Sequence, residues 1–270
     1  MSDVDRPHLV VAKGVFGPMG GAEMDLIRVL PAINSLFDVV VATIQTSPEL
    51  EETCSKHGIE LISPESNWEL STDPLSVILD SGRGTASKAW ASCAGLGEAL
   101  ATADALHFVS GDGSLPLLDH VPDGLVVHLH LLEPHRGLYE DILHRLIDGT
   151  PKRNLTLTKA ALSRARKRDQ SLMASLLSME GSMVSCNSRF SAHRAREVYG
   201  AEAGVLWPCV DTQEFPQDPS GDPENPYPRT DEYVVCIGRA SWAKGTWETV
   251  SMLRGTGLSM AHVGGGEERS

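Results

Sequence analysis

The sequence has few cysteines, no long apolar run and a shortage of positive charge. Its five cysteines show no CxxC spacing and come without a cluster of histidines. An odd number of cysteines without a disulfide framework indicates a reducing compartment and inert thiols rather than metal ligands. No segment approaches the roughly 18 apolar residues that a transmembrane helix needs. Because the amino-terminal stretch MSDVDRPHLVV is charged, we expect no signal peptide and a cytoplasmic location.

The charge balance excludes another class of protein. Among 270 residues, 36 Asp and Glu oppose 23 Lys and Arg, which gives a formal net charge of −13. A protein that binds nucleic acid over its whole surface needs a positive footprint, so general nucleic-acid binding is excluded. The composition, with 41% hydrophobic and 22% charged residues, is typical of a folded globular protein.

Short apolar runs alternate with helical patterns from the start of the chain. Such runs, beginning with HLVVA (8–12), indicate a parallel sheet with both faces covered by helices. The sequence therefore predicts an α/β fold, a doubly wound and Rossmann-like N-terminal domain over residues 1–214. Further strands are predicted at 38–44, 58–62, 103–110, 123–131, 181–187 and 203–207, and helices from about Gly21, at 48–57, at 86–102 and at 189–199.

The last quarter of the chain has a different composition. Residues 215–232 are rich in proline, which resists regular structure, so we interpret them as an inter-domain linker. A strand–helix–strand pattern follows at 233–238, 245–254 and 258–266. A single βαβ unit does not bury both faces of its sheet. Residues 233–270 are therefore interpreted as the start of a second Rossmann-like domain that is truncated.

A glycine-rich loop joins the first strand to the first helix. The stretch FGPMGGAE places Gly20 and Gly21 where that helix should begin. Glycine lets a ligand approach the backbone, and the free N–H groups of a first helical turn favour an anion such as phosphate. The alternative is a tight turn without a ligand, since the loop matches neither GxGxxG nor a Walker A sequence.

A second pair of candidate residues lies in GRASWAKG, where Arg239 and Lys244 follow the strand at 233–238. The carboxyl ends of parallel strands are where α/β folds bind ligands. The fork of an arginine and the mobile charge of a lysine together suit a diphosphate. The alternative is two solvated surface cations.

Histidines crowd the end of the predicted strand 123–131. His128 and His130 lie on the same face of that strand, with Glu133 and His135 after it. No third ligand occurs at a recognisable spacing, so a histidine that donates to a sugar hydroxyl or an oxyanion is favoured over a zinc site. A packed, half-buried histidine is the alternative.

The segment 152–168 is basic, although the chain as a whole is acidic. Only Asp169 opposes its positive charges, and we expect a long helix here, with Leu172, Leu176 and Met179 on another face. A solvated helix face is the favoured interpretation. The functional alternative is docking to an anionic membrane surface or to an acceptor that carries phosphate. The basic residues, all within 152–168, are Lys152, Arg153, Lys159, Arg164, Arg166, Lys167 and Arg168.

Five stretches, in this order, resemble signatures of the family 4 glycosyltransferases, which are retaining, sugar-nucleotide-dependent enzymes of the GT-B fold. GGAE (20–23) resembles the glycine loop of the acceptor domain, and SCNSRF (185–190) resembles its strand-to-helix junction. The stretch SCNSRF also has a simpler interpretation as a helix cap. WPCVDTQEF (207–215) resembles the family signature that precedes the second domain. CIGRASWAKG (236–245) and LSMAHVGGGEE (258–268) resemble signatures within the second domain.

The resemblance implies a GT-B-like fold and transfer of a sugar from a nucleotide-sugar donor to a glycan, lipid or polysaccharide precursor, with retention. Gly20 and Gly21 would contact the donor diphosphate through backbone N–H groups. Arg239 and Lys244 would neutralise the leaving diphosphate. His130 would lie near the transferred sugar as the catalytic residue, and neither a metal nor a cofactor is implied.

The resemblance also has a gap, because the family's second domain carries a Glu-x7-Glu signature that does not occur after residue 258. A non-catalytic or fragmentary GT-B protein that keeps only acceptor or partner binding is therefore an alternative. So is an enzyme completed by another chain. A different GT-B enzyme, such as a sugar-nucleotide epimerase, is disfavoured by GRASWAKG.

Overall fold

The computed structural model of the chain describes residues 6–17, 19–71, 81–210 and 232–266. The chain divides into two compact units. The first comprises Met1–His135 and Ala161–Cys209, and the second comprises Arg136–Ala160 and Val210–Ser270. The predicted linker, 215–232, lies outside the described residues except for Glu232, so its boundaries stay predictions.

Seven parallel strands form the sheet of the first unit, which confirms the predicted doubly wound α/β fold. They are β1 (His8–Lys13), β2 (Asp38–Ala42), β3 (Glu60–Ile62), β4 (Ala105–Val109), β5 (Val126–Leu131), β6 (Met183–Cys186) and β7 (Gly204–Val205). Their order is β3-β2-β1-β4-β5-β6-β7. The order reverses between β1 and β4, and open α/β sheets bind ligands at such a switch point.

The helices follow the predicted pattern, except that two predicted helices are each divided and the short helix at 136–139 was not predicted. In chain order they are α1 (Gly21–Leu36), α2 (Pro48–His57), α3 (Ser81–Ser92), α4 (Leu96–Thr102), α5 (Arg136–Tyr139), α6 (Leu155–Ala161), α7 (Ser163–Ser178), α8 (Arg189–Tyr199) and α9 (Thr246–Leu253). The predicted helix 86–102 is two helices, α3 and α4, because Gly95 takes a left-handed conformation with φ of 84° between them.

The basic segment also forms two helices, α6 and α7, rather than one long helix. They are separated at Leu162, which is buried and whose ψ of 0° departs from helical geometry. Leu172 and Leu176 of α7 are buried in the core of the first unit, and Met179 packs against that core. The apolar face predicted for this segment therefore packs against the core of the first unit.

The two faces of the large sheet carry separate hydrophobic clusters, because strand side chains alternate between faces. On one face, Val11 and Val41 pack with Leu26 and Leu30 of α1. On the other face, residues such as Phe108 and Leu129 pack with side chains of α3, α4, α7 and α8. Helices thus cover both faces, as the runs of buried apolar residues predict.

The second unit contains a smaller parallel sheet of two strands, β8 (Tyr233–Ile237) and β9 (Ser259–Val263), with α9 between them in sequence. This is the predicted strand–helix–strand. Residues 136–160 belong to the same unit, and Gly149 in this segment lies directly against the Trp242 ring. No helix in the described part of the chain is long and apolar enough to cross a membrane.

Candidate functional site

Lys13 is the last residue of β1, at the point where the strand order reverses between β1 and β4, and its side chain is only 3% exposed. Its Nζ lies 3.0 Å from Glu23 Oε1 and donates to the Ser110 carbonyl at 3.4 Å. Breaking such a pair would leave an uncompensated buried charge. Sequence analysis did not single out Lys13, although the period-2 pattern of β1 places it on the same buried face as Val11.

The Gly20–Gly21 turn lies beside this ion pair at the start of α1. The Gly20 N–H donates to Glu23 Oε2 at 3.0 Å, the backbone half of a capping box. A Cβ on Gly20 would lie 2.8 Å from that oxygen, while a Cβ on Gly21 would meet nothing within 4 Å. Both glycines are exposed, so the turn is open to a ligand. Its charge is already balanced, since Glu23 links the Lys13 ammonium to the Gly20 amide.

Gly14 brings the loops after β1 and β4 together. An added Cβ there would lie 2.7 Å from backbone atoms of both Gly113 and Ser114. The Gly14 N–H donates to Ser114 Oγ at 3.0 Å, and Thr43 Oγ1 donates to the Gly14 carbonyl at 3.0 Å. The carboxyl edge of β1, β2 and β4 is therefore a tightly joined surface.

Asp112 and His135 form a second pair of titratable side chains at this edge. Asp112 Oδ1 lies 3.8 Å from His135 Nε2, and both side chains are about half exposed. The interaction with His135 lowers the pKa of Asp112, and the interaction with Asp112 raises the pKa of His135. The sequence places His135 shortly after the His128 and His130 pair without assigning it a partner, and the structure pairs it with Asp112.

His130 lies at the end of β5, half-buried, and its Nδ1 is 2.8 Å from Ser185 Oγ on β6. The same hydroxyl is 2.9 Å from His128 Nε2, so His128 and His130 share one face as predicted. His128 Nδ1 also lies 2.9 Å from His107 Nδ1 on β4. His107 was not among the predicted site residues, and Ser185 was noted only as part of SCNSRF (185–190), because their contacts depend on how β4, β5 and β6 align.

Burial makes these histidines weak bases. It lowers the pKa of His107 to about 3, with the neighbouring His128 and His130 adding to the effect. Burial also lowers the pKa of His128, and burial and the nearby His128 lower that of His130. All three rings are therefore neutral at pH 7.

The strand register places Lys13 and His130 in one row across the sheet. Lys13 pairs with Val109, Val109 pairs with His130, and His130 pairs with Ser185. Neighbouring strands lie about 4.8 Å apart, so the backbones of Lys13 and His130 are roughly 10 Å apart. The predicted catalytic histidine and the glycine turn held by Lys13 thus lie at the same edge and on the same face.

Arg239 and Lys244 lie in the second unit, near a short 3₁₀ helix (Trp242–Lys244) that leads into α9: Arg239 precedes this helix and Lys244 is its last residue. Arg239 comes two residues after β8 ends. Lys244 is followed by Gly245, which has a φ of 68° and is the N-cap residue of α9. Both side chains are exposed. Within the described ranges, neither forms an ion pair or a side-chain hydrogen bond.

The remaining candidates have structural roles. Ser188 Oγ accepts a hydrogen bond from the Ser191 N–H at 3.1 Å and so caps α8, and Asn187 Oδ1 accepts one from Ser191 Oγ at 2.8 Å. All five cysteines are free, and burial raises the pKa of Cys54, Cys93 and Cys186 to about 11. In the described residues, no group of three His, Cys, Asp or Glu side chains is arranged to hold a metal ion.

Comparison with known proteins gives structural likeness without a family assignment. No protein-family model matches the chain, and no curated protein matches it. The crystal structure of a glycosyltransferase from Rickettsia africae ESF-5 is similar over 96% of this chain and 68% of that one, with 14% identity and a TM-score of 0.46. BdcA in complex with NADPH aligns over 98% of this chain and 97% of its own, with 10% identity and a TM-score of 0.29. Both TM-scores are below 0.5, so the functional inference depends on the chain's own residues.

Proposed function

We propose that this chain is a glycosyltransferase that moves a sugar from a nucleotide-sugar donor to a glycan, lipid or polysaccharide precursor, with retention of configuration. The observation that carries the proposal is the pair Arg239 and Lys244. Both are exposed cations without a partner in the described residues, and they lie between the carboxyl end of β8 and the start of α9. Two such cations beside a helix N-terminus match the charge of a diphosphate.

Each candidate residue has a role in this proposal. Arg239 and Lys244 neutralise the nucleoside diphosphate as the glycosidic bond breaks, which stabilises charge that develops in the transition state. Gly20 and Gly21 leave the backbone of the α1 turn open to the donor. His130, neutral at pH 7, offers a ring nitrogen to a hydroxyl of the transferred sugar. No metal or cofactor is invoked.

Calorimetry with UDP and with GDP tests the binding step. Arg239→Ala should weaken binding of the preferred nucleotide by about 1.5–3 kcal/mol, the scale of a hydrogen bond to a charged group. Arg254→Ala is the matched control, because Arg254 is an exposed arginine just beyond the other end of α9. An equal loss in both variants, or no effect of Arg239→Ala, would remove Arg239 from the site.

Turnover separates the two functions that the sequence leaves open. Incubation with a panel of UDP- and GDP-sugars and candidate acceptors should release free nucleoside diphosphate. Nucleotide binding without release in any combination would support the alternative, a GT-B-like protein that binds an acceptor or partner without catalysis.

A further inference from the structure

Four polar side chains form a continuous hydrogen-bonded chain across three strands. His107 on β4 contacts His128 on β5 through their two Nδ1 atoms, 2.9 Å apart. His128 Nε2 contacts Ser185 Oγ on β6 at 2.9 Å, and Ser185 Oγ contacts His130 Nδ1 at 2.8 Å. Within the part of the chain that the structure describes, these side chains make no other hydrogen bond.

The geometry of the four side chains fixes how many protons each of their hydrogen bonds holds. A contact between two Nδ1 atoms holds one proton, since one nitrogen must donate and the other accept. The Ser185 hydroxyl has one proton, so if it donates to one histidine it must accept from the other. Ser185 is buried, which makes a hydroxyl without an acceptor costly. Burial also keeps all three rings neutral, as their lowered pKa values indicate.

Two neutral proton arrangements satisfy every contact. In the first, His128 and His130 carry their protons on Nδ1, His107 carries its proton on Nε2, and His130 presents a bare Nε2. In the second, every proton has moved one contact along. His128 and His130 then carry protons on Nε2, and His107 carries its proton on Nδ1. The outer nitrogen of His130 is an acceptor in the first arrangement and a donor in the second.

We propose that His107, His128 and Ser185 are positioning residues that set which ring nitrogen of His130 carries the proton. The inference depends on the proposed function only for the use that His130 makes of its outer nitrogen. A proton that His130 accepts at Nε2 is balanced by a proton that His107 releases from Nε2 to water, while the three protons between them each cross one contact. His130 therefore exchanges a proton with a hydroxyl without becoming a cation at its half-buried position.

Nitrogen-15 NMR of the full chain, labelled at histidine, tests this coupling directly at neutral pH. Long-range nitrogen–proton correlations report which nitrogen of each ring is protonated. We expect His128 and His130 to show the same tautomer and His107 the opposite one. His107→Phe, which removes no contact of His130, should change the ratio of the His130 tautomers by roughly threefold to tenfold, the range that one hydrogen bond produces.

Two substitutions at Ser185 complete the experiment. Ser185→Ala should interrupt the series of hydrogen bonds between His128 and His130, so that the His130 tautomer no longer follows that of His128. Ser185→Thr keeps the hydroxyl and should keep the coupling, and the amide spectrum of each variant checks that it is folded. Opposite tautomers of His128 and His130 in the wild type, or an unchanged His130 in both His107→Phe and Ser185→Ala, would overturn the inference.

The experiment needs no substrate, so its result is independent of the proposed function. Coupled tautomers in a chain that turns over no nucleotide-sugar would leave the coupling established and the transferase proposal refuted. Active transfer with uncoupled tautomers would have the opposite meaning.

Discussion

Lys13 and Glu23 determine the electrostatics of the glycine turn. A helix N-terminus attracts negative charge. At the start of α1, that charge is already supplied by the Glu23 carboxylate, which also balances Lys13. The turn is thus neutral before any ligand arrives. In the proposed function the diphosphate is therefore held mainly by Arg239 and Lys244, which have no carboxylate partner in the described residues.

His107 should make the folded state sensitive to mild acid. Its pKa falls from the ordinary 6.5 to about 3 on folding, so between these pH values the unfolded chain binds more protons. The free energy of unfolding then falls as the pH drops through this window, and the loss is complete near pH 3. In urea titrations from pH 7 to pH 4, we expect the wild type to lose more stability than His107→Phe, which has no proton to bind.

The comparison with His107→Phe is needed because carboxylates also contribute. The lowered pKa of Asp112 stabilises the folded state at neutral pH, and this contribution is lost as the pH falls. It is common to the wild type and the variant, so it cancels in their difference. His57→Gln, which replaces an exposed histidine of α2, is the matched control for the loss of a histidine. Parallel loss in His107→Phe and the wild type would contradict a depressed pKa of His107.

At the scale of single elements, alternation along a strand could be predicted from the sequence, but alignment between strands could not. The HxH pattern places His128 and His130 on one face without any knowledge of the fold. Their contacts with His107 and Ser185 require β5 to lie between β4 and β6 in one register, which is a property of the assembled sheet. Lys13 is an intermediate case. The alternation of side chains along β1 predicts which face Lys13 lies on, but nothing in the sequence predicts its ion pair with Glu23.

The turn after β1 gives a test at this scale. Gly14→Ala should destabilise the first unit by about 1–3 kcal/mol, because the new methyl group meets backbone atoms of Gly113 and Ser114 that have no room to move aside. Gly17→Ala is the matched control three residues away. A Cβ there meets only Gln45 Nε2 at 3.9 Å, so we expect a change within about 0.5 kcal/mol. Equal midpoints of urea unfolding for the two variants would show that the backbone contact at Gly14 is not a constraint.

At the scale of the whole molecule, the chain divides into two compact units, and local sequence patterns do not determine which residues belong to each. The parallel sheet of the first unit follows from its buried apolar runs. The assignment of residues 136–160 to the second unit does not, because these residues lie between β5 and β6 in sequence. What holds them there is tertiary contact, such as that between Gly149 and the Trp242 ring, and no local pattern signals it.

The basic segment 152–168 carries the remaining prediction, which concerns the surface of the whole chain. Because the apolar face of α7 is buried, any contact with an anionic membrane must be electrostatic, without insertion of a helix face. We expect the chain to sediment with phosphatidylserine vesicles at low salt and to be released at about 0.5 M salt, where charges are screened beyond a few ångströms. Vesicles of phosphatidylcholine alone should not bind it.

A pair of double variants tests whether this segment is the contact. Arg164 and Lys167 are exposed on α7, and replacing both with glutamine should weaken vesicle binding by about 2 kcal/mol, or roughly 30-fold. Lys56 and Lys88 are exposed on α2 and α3, and replacing both changes the net charge equally. If the two double variants bind alike, the contact depends on overall charge, and the basic segment is only a solvated surface. A loss confined to the α7 variant would locate the membrane contact on that helix.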